Sequence, residues 1–176
     1  MSAPYDVIEG TAVDVAEPYP VRHASRIWGW HQASGPQLRY LTRQVAPNAD
    51  AFTDVMVKSL LMDGMRSFAI VERTDKLTAD GHPPIIGVVL AEPAGPTERQ
   101  MHIAGKRKNL EAFDEAIEII VNKLWETEPT LQRLVCVIPT ENRAATQRAM
   151  RSGFKETLLL TRCVRRRAEA VTGMED

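Results

Sequence analysis

The sequence predicts one α/β domain with a mixed sheet, in which an antiparallel meander of strands is followed by a βαβαβ tail, with helices on both faces. Short apolar runs typical of strands alternate with longer runs in which apolar residues recur every three or four positions. The clearest helix lies between two of the strand-like runs, an order typical of α/β domains. A length of 176 residues fits a single domain with a sizeable core.

The ends of the chain carry no strong periodicity. Residues 1–20 contain three prolines and no regular apolar pattern, which predicts an extended arm. The domain itself is expected to span residues 21–165, and residues 166–176 are expected to form a flexible tail. Trp28, Trp30 and Tyr40 concentrate aromatic surface near the start of the domain, where burial in the core or in an interface is expected.

The first half of the domain is expected to hold one helix and the meander. Asn48 precedes apolar positions spaced three and four apart, so a helix of about four turns is expected from there to Gly64. A turn is expected around Pro93–Pro96, between the second and third strands. The three strands are expected at Arg66–Arg73, Ile85–Leu90 and Gln100–Ala104.

The second half alternates helices and strands. Leu110–Trp125 carries apolar residues on one face and acidic residues on the other, so it predicts a long amphipathic helix. Leu134–Ile138 is typical of a buried strand that ends at a proline. A short helix over Glu141–Ser152 and a last strand over Phe154–Val164 are expected to follow.

Composition restricts the function. The 22 basic and 23 acidic side chains leave a net charge of −1, so no global field draws the chain to nucleic acid or an anionic membrane. Cys136 and Cys163 form neither a redox motif nor a metal-ligand pattern, which favours a reducing compartment. No apolar run is long enough to span a bilayer. A cytoplasmic protein without membrane partners or metal is therefore expected.

The segment from Asn142 to Phe154 resembles the closing signature of the GNAT acetyltransferases, an Asn, an Ala and a Gly-Phe pair at fixed spacing. With the meander and the long helix upstream, the resemblance covers roughly residues 21–164. It implies the GNAT fold, in which acetyl-CoA lies between two parallel strands. The cofactor's pyrophosphate would lie at the N-terminus of the helix after the third meander strand, where free amides and the helix dipole favour an anion.

The resemblance assigns cofactor contacts to two parts of the chain. The pyrophosphate loop would be formed by Gly105–Asn109, with Ile103 on the strand before it. Asn142 would lie on the pantetheine side, and Ala145 would be a further cofactor contact. The family's usual loop has several glycines, whereas this chain has only Gly105, so binding is expected to be weak or rearranged. The assigned residues are Ile103, Gly105, Lys106, Arg107, Lys108, Asn109, Asn142 and Ala145.

The catalytic groups are also incomplete. Many family members have a Tyr seven residues after the motif's Asn, where it protonates the departing thiolate, and this chain has Ala149 there. His102 and Glu98 are candidates for a general base, because a neutral imidazole or a carboxylate can deprotonate an amine. A half-buried strand histidine with no catalytic role remains an alternative for His102.

A looser resemblance points to acetyltransferase-like internal or virion proteins of short-tailed bacteriophages. It rests on the basic run after Gly105, on Trp125 near the end of the long helix, and on Asn142. It implies a phage-encoded binding or structural module, located in the virion or the host cytoplasm, with virion or host proteins as partners. The alternative is a working N-acetyltransferase that acts on an amine of a protein or small molecule. Nucleic-acid binding through Arg165–Arg167 is a weaker third hypothesis.

Overall fold

The structure, a computed structural model, describes residues 4–10, 48–60, 63–79, 81, 83–105, 110–138, 142–157 and 162–166. Trp28, Trp30, Tyr40 and the predicted tail from residue 167 onward lie outside the described residues. In chain order the described elements are β1 (Tyr5–Gly10), α1 (Ala49–Leu60), β2 (Arg66–Glu72), β3 (Ile85–Gly95), β4 (Glu98–Gly105), α2 (Leu110–Thr127), β5 (Arg133–Val137), α3 (Arg143–Arg151), β6 (Lys155–Glu156) and β7 (Arg162–Arg166).

The chain divides into two compact units, and β3, β4 and α2 contribute to both. The first unit contains residues 1–90 and 102–116. Its strands follow the order β1-β2-β3-β4. Both β2 and the first part of β3 are buried almost throughout. Their sequences are therefore nearly continuous apolar runs and do not alternate between apolar and polar residues.

Strand β1 lies in the segment for which the sequence predicted an extended arm. It pairs antiparallel with β2, from Tyr5 opposite Glu72 to Gly10 opposite Ser67. Arg66 closes one end of this pair: its Nε donates to Oε1 of Glu9 at 2.7 Å. At the other end the Arg73 guanidinium binds the carboxylate of Asp6.

Acidification is expected to remove the contribution of Asp6 to stability. The hydrogen bond from Arg73, 3.0 Å from Nε to Oδ1, holds the pKa of Asp6 below its ordinary value of 3.8. Because the pKa is lower in the folded chain, this contribution is present above the unfolded pKa and is lost as the pH falls through the folded pKa. Asp6→Asn should therefore reduce stability slightly at about pH 7 and by less at about pH 2. Urea unfolding at both pH values measures this, and an equal loss at both would contradict it.

The second unit contains residues 91–101 and 117–176, with strand order β3-β4-β5-β7-β6. β4 and β5 pair in parallel, which fits a connection through the long helix α2. β7 pairs antiparallel with both β5 and β6. The α/β class and the mixed sheet predicted from the sequence are thereby confirmed.

Several strands differ from the prediction in their extent. β4 spans Glu98–Gly105 rather than Gln100–Ala104. β3 continues to Gly95, through residues expected to form a turn. Its last residues are exposed, and a proline is tolerated at such a strand end. The expected last strand, Phe154–Val164, is two strands, β6 and β7, that pair antiparallel. That run contains no glycine or proline to mark the break between them.

The start of α1 and the apolar face of α2 agree with the prediction, whereas α1 ends at Leu60, before the expected stop at Gly64. Oδ1 of Asn48 accepts a hydrogen bond from the Ala51 backbone N–H at 2.9 Å, which confirms Asn48 as the N-cap of α1. Gly64 has a φ of 72°, a left-handed conformation that glycine adopts without strain. In α2 the buried side chains recur at helical spacing and include Phe113, Ile120 and Leu124, as the amphipathic pattern predicted.

Candidate functional site

The last residues of β4 extend beyond its parallel pairing with β5. The register of the pair ends at Met101, opposite Cys136, whereas β4 continues to Gly105. Along this end, His102 is buried and Ile103 is 39% exposed, in keeping with the alternation of side chains in a strand. Residues 102–105 of β4 therefore lie beyond the described β4–β5 register.

Gly105 has a packing role that the sequence did not predict. A Cβ atom on Gly105 would lie 2.5 Å from Cε2 of Phe113, and a Cβ atom on Gly87 would lie 2.4 Å from the same atom. The Phe113 side chain is only 1% exposed, so the ring has little freedom to move away. Phe113 thus packs directly on the backbones of β3 and β4, which requires glycine at both positions. In the sequence, the one indication of this close packing was Gly87, a glycine inside an apolar strand.

Glu98 is held by an ion pair. Its carboxylate binds the guanidinium of Arg133, which lies directly opposite it in the β4–β5 register. The Glu98 side chain is 9% exposed and that of Arg133 is 48% exposed, so the pair lies at the surface with its acidic half buried. The sequence alone did not identify Arg133 as the partner of Glu98.

The Asn142–Phe154 signature occupies both ends of α3. Oδ1 of Asn142 accepts a hydrogen bond from the Ala145 backbone N–H at 3.2 Å, so these two predicted cofactor residues form the N-cap of the helix. At the other end Gly153 has a φ of 81°, and the Phe154 N–H donates to the Ala149 carbonyl at 3.0 Å. The glycine permits this left-handed stop, and Phe154 is buried next to it.

Removing the cap should destabilise the chain measurably. Asn142→Ala leaves the first turn of α3 without its side-chain acceptor, and we expect a loss of about 1 kcal/mol in the free energy of unfolding. Asn142→Asp puts a carboxylate oxygen in the place of the amide oxygen and serves as the matched control. Urea unfolding of the three proteins measures the effect. Equal stability of the alanine variant and the wild type would show that the cap contributes nothing.

The remaining predicted cofactor residues, Lys106, Arg107, Lys108 and Asn109, lie outside the described residues. The helix that follows them begins with acidic side chains: Glu111 lies in its first turn, and both Glu111 and Glu115 are exposed. Negative charge there stabilises the helix but opposes a second anion such as a pyrophosphate.

The predicted residues fall in both units. Of those described, His102, Ile103 and Gly105 belong to the first unit and Glu98, Asn142 and Ala145 to the second. Over the described ranges no group of three or more His, Cys, Asp or Glu side chains could hold a metal ion. Among the helices of those ranges, none has the length and apolar character needed to cross a membrane.

Comparison with known proteins identifies the fold. No family model and no curated protein sequence matches the chain. The spermidine N-acetyltransferase of Vibrio cholerae, solved as a dodecamer, matches at 12% identity with a TM-score of 0.64, over 99% of this chain and 100% of that one. A structure of that acetyltransferase with CoA and spermine also matches, at 13% identity and a TM-score of 0.60, over 94% of each chain.

Two further structures extend the likeness to other acetyltransferases. The N-acetyltransferase PseH of Campylobacter jejuni is 10% identical with a TM-score of 0.59, over 94% of this chain and 99% of that one. The ribosomal-protein-S5-alanine acetyltransferase of Vibrio fischeri is 11% identical with a TM-score of 0.58, over 96% of each chain. The chain therefore has the fold of the GNAT acetyltransferases, as its sequence predicted. At such low identity the likeness concerns the fold alone.

Proposed function

We propose that this chain is a binding module built on the GNAT fold, in which the acetyl-CoA site is kept in part and efficient acetyl transfer is absent. The observation that carries the proposal is the packing of Phe113 against Gly105. Gly105 is the only glycine of the expected pyrophosphate loop, and the buried ring requires it whether or not a phosphate binds. Its presence is therefore no sign of a working phosphate site.

Two other features support a reduced site. The exposed acidic residues Glu111 and Glu115 open the helix at which the pyrophosphate would bind, and their charge disfavours it. Ala149 stands where related enzymes carry the tyrosine that protonates the leaving thiolate, and its methyl group has no proton to donate. What supports retained cofactor binding is the end of β4, where the strand continues past its pairing with β5.

The proposal places the module in a bacteriophage virion or its assembly, with virion or host proteins as partners. The support is the resemblance of the basic run after Gly105, of Trp125 and of Asn142 to internal proteins of short-tailed phages. A GNAT fold can serve such a role because a fold does not fix a function.

A slow N-acetyltransferase is the second candidate, and the position of His102 favours it. This histidine is buried at the first residue of β4 beyond the β4–β5 register, beside the segment proposed to bind the cofactor. Its imidazole would take the proton from an acceptor amine as the nitrogen attacks the acetyl carbonyl. Glu98 is the less suitable base, since Arg133 already binds its carboxylate.

The test measures acetyl-CoA binding and acetyl transfer on one preparation. Binding is followed calorimetrically with acetyl-CoA and with free CoA at low salt, and transfer is followed as CoA release with spermidine or polylysine as the acceptor. The binding-module proposal expects weak, saturable binding and no transfer above the uncatalysed rate. Micromolar binding with rapid CoA release that His102→Gln abolishes would replace it with the enzyme.

A further inference from the structure

Helix α3 is unusual in that none of its nine residues is buried. It is nonetheless amphipathic, and a helix with an apolar side in a folded domain is normally covered on that side. Met150 is 52% exposed, one of the most exposed large apolar side chains among the described residues. Arg143, Gln147 and Arg151 are exposed on the same helix.

The exposed side of α3 is basic with an apolar centre. Residues at positions i, i+4, i+7 and i+8 share one side of a helix, so Arg143, Gln147, Met150 and Arg151 form one stripe. The helix contains no acidic residue. We call these four residues the basic stripe.

Helix α2 carries a stripe of the opposite charge. Apart from Thr127 at its end, the exposed side chains of α2 recur every three or four residues. This spacing aligns them along one side of the helix. Ile119, at the middle of this stripe, is 46% exposed although it is a large apolar residue. The five residues of this acidic stripe are Glu111, Glu115, Ile119, Asn122 and Glu126.

We infer that the basic stripe of one molecule docks on the acidic stripe of a second copy of this chain. Each stripe has one exposed apolar residue among like charges, Met150 on α3 and Ile119 on α2, and the charges of the two stripes are opposite. An apolar centre with a charged rim is the usual anatomy of a protein–protein interface. Phosphate contacts would need the arginines but would leave Met150 exposed, so nucleic acid is the weaker occupant.

The two stripes differ, so each contact joins unlike surfaces. A pair of molecules can exchange two such contacts about a two-fold axis, or successive molecules can bind head to tail into a ring or filament. Both arrangements depend on the same charges, and both weaken as salt screens them.

Charge reversal on either helix tests the contact. The first variant carries Arg143→Glu with Gln147→Glu, which makes the α3 stripe acidic. The second carries Glu115→Lys with Glu126→Lys, which makes the α2 stripe basic. All four substituted residues are exposed, and glutamate at position 143 and lysine at position 126 suit the helix dipole, so both variants should remain folded, as circular dichroism can verify.

Sedimentation of the full chain at low salt gives the readout. We expect the wild type to self-associate and each variant alone to need about tenfold more protein, or more, to do so. An equimolar mixture of the two variants should associate again. Both stripes of the first variant are then acidic and both stripes of the second are basic, so the α3 stripe of each can bind the α2 stripe of the other. Asp54→Lys with Asp75→Lys changes the net charge as the second variant does, on exposed residues outside both helices, and should leave association unchanged.

Three results would overturn the inference. The first is a wild type that stays monomeric at low salt up to millimolar protein. The second is association that persists unchanged in either variant. The third is failure of the mixture to associate while both variants are folded. A monomer whose α3 variant loses binding to a DNA duplex would assign the basic stripe to nucleic acid instead.

Discussion

Gly105→Ala should lower the free energy of unfolding by about 1–3 kcal/mol or more, the usual cost of overpacking a core. The new methyl group would meet Phe113 at 2.5 Å and the Ile86 carbonyl oxygen at 3.0 Å. Gly87→Ala should behave alike, because its methyl group would meet the same ring at 2.4 Å. Chemical denaturation of both variants measures the loss.

Two further variants separate this clash from a general intolerance of alanine in the sheet. Gly95→Ala in β3 is the matched control: its methyl group would come no closer than 3.9 Å to another atom, so stability should hardly change. Phe113→Leu should recover part of the loss when combined with Gly105→Ala, since the smaller side chain leaves room for the methyl group. Purely additive effects of the two substitutions would contradict the packing account.

The close contact between Gly105 and Phe113 limits which substitutions can test the cofactor loop. A bulky residue at Gly105 would disturb the core before it reached any phosphate, so loss of acetyl-CoA binding in such a variant would say little about the loop. Ile103, exposed on the same strand, is a better place for a probe.

For the second candidate function, a slow N-acetyltransferase, Ala149→Tyr should raise acetyl transfer by on the order of 10²-fold, because it supplies the missing acid. Ala149 is half-buried in α3, seven residues after Asn142, where many GNAT acetyltransferases carry a tyrosine after the Asn of their signature. The phenol would supply the proton that the departing CoA thiolate needs. CoA release with an amine acceptor such as spermidine measures the gain.

Ala149→Phe is the control for shape. It adds the same ring without the hydroxyl group, so it should fold and bind like the tyrosine variant but transfer no faster than the wild type. Equal rates for the two variants would show that the ring, rather than the proton, matters. No gain in either variant, with acetyl-CoA bound, would mean that the acceptor or the base is the missing component.

Much of the fold could be predicted because its signals are local. The Asn48 cap, the left-handed Gly64 and the helical spacing of α2 are each contained in a few neighbouring residues. β1 was not predicted as a strand, since its six residues are mostly half-buried and depend on their pairing with β2. The break between β6 and β7 was not predicted either, because the sequence has no glycine or proline there.

The candidate site was harder to predict because its contacts join distant parts of the chain. Arg133 meets Glu98 only through the register of β4 and β5, which sequence patterns leave open. The role of Gly105 depends on Phe113, which the sequence identified only as an apolar position of a helix. Asn142 and Gly153 were recognised through a family signature, and their capping geometry gives the physical reason for it.

The central claim is that part of the acetyl-CoA site is kept at the end of β4. A titration of the isotopically labelled chain with acetyl-CoA, followed by the backbone amide signals, tests it most directly. The account predicts saturable shifts of Ile103 and Gly105 with a dissociation constant of roughly 0.1–1 mM, an affinity of about 4–5.5 kcal/mol. Signals that stay unchanged at several millimolar acetyl-CoA, or that shift only elsewhere, would contradict it, and would mean that the GNAT fold serves this chain through its surfaces alone.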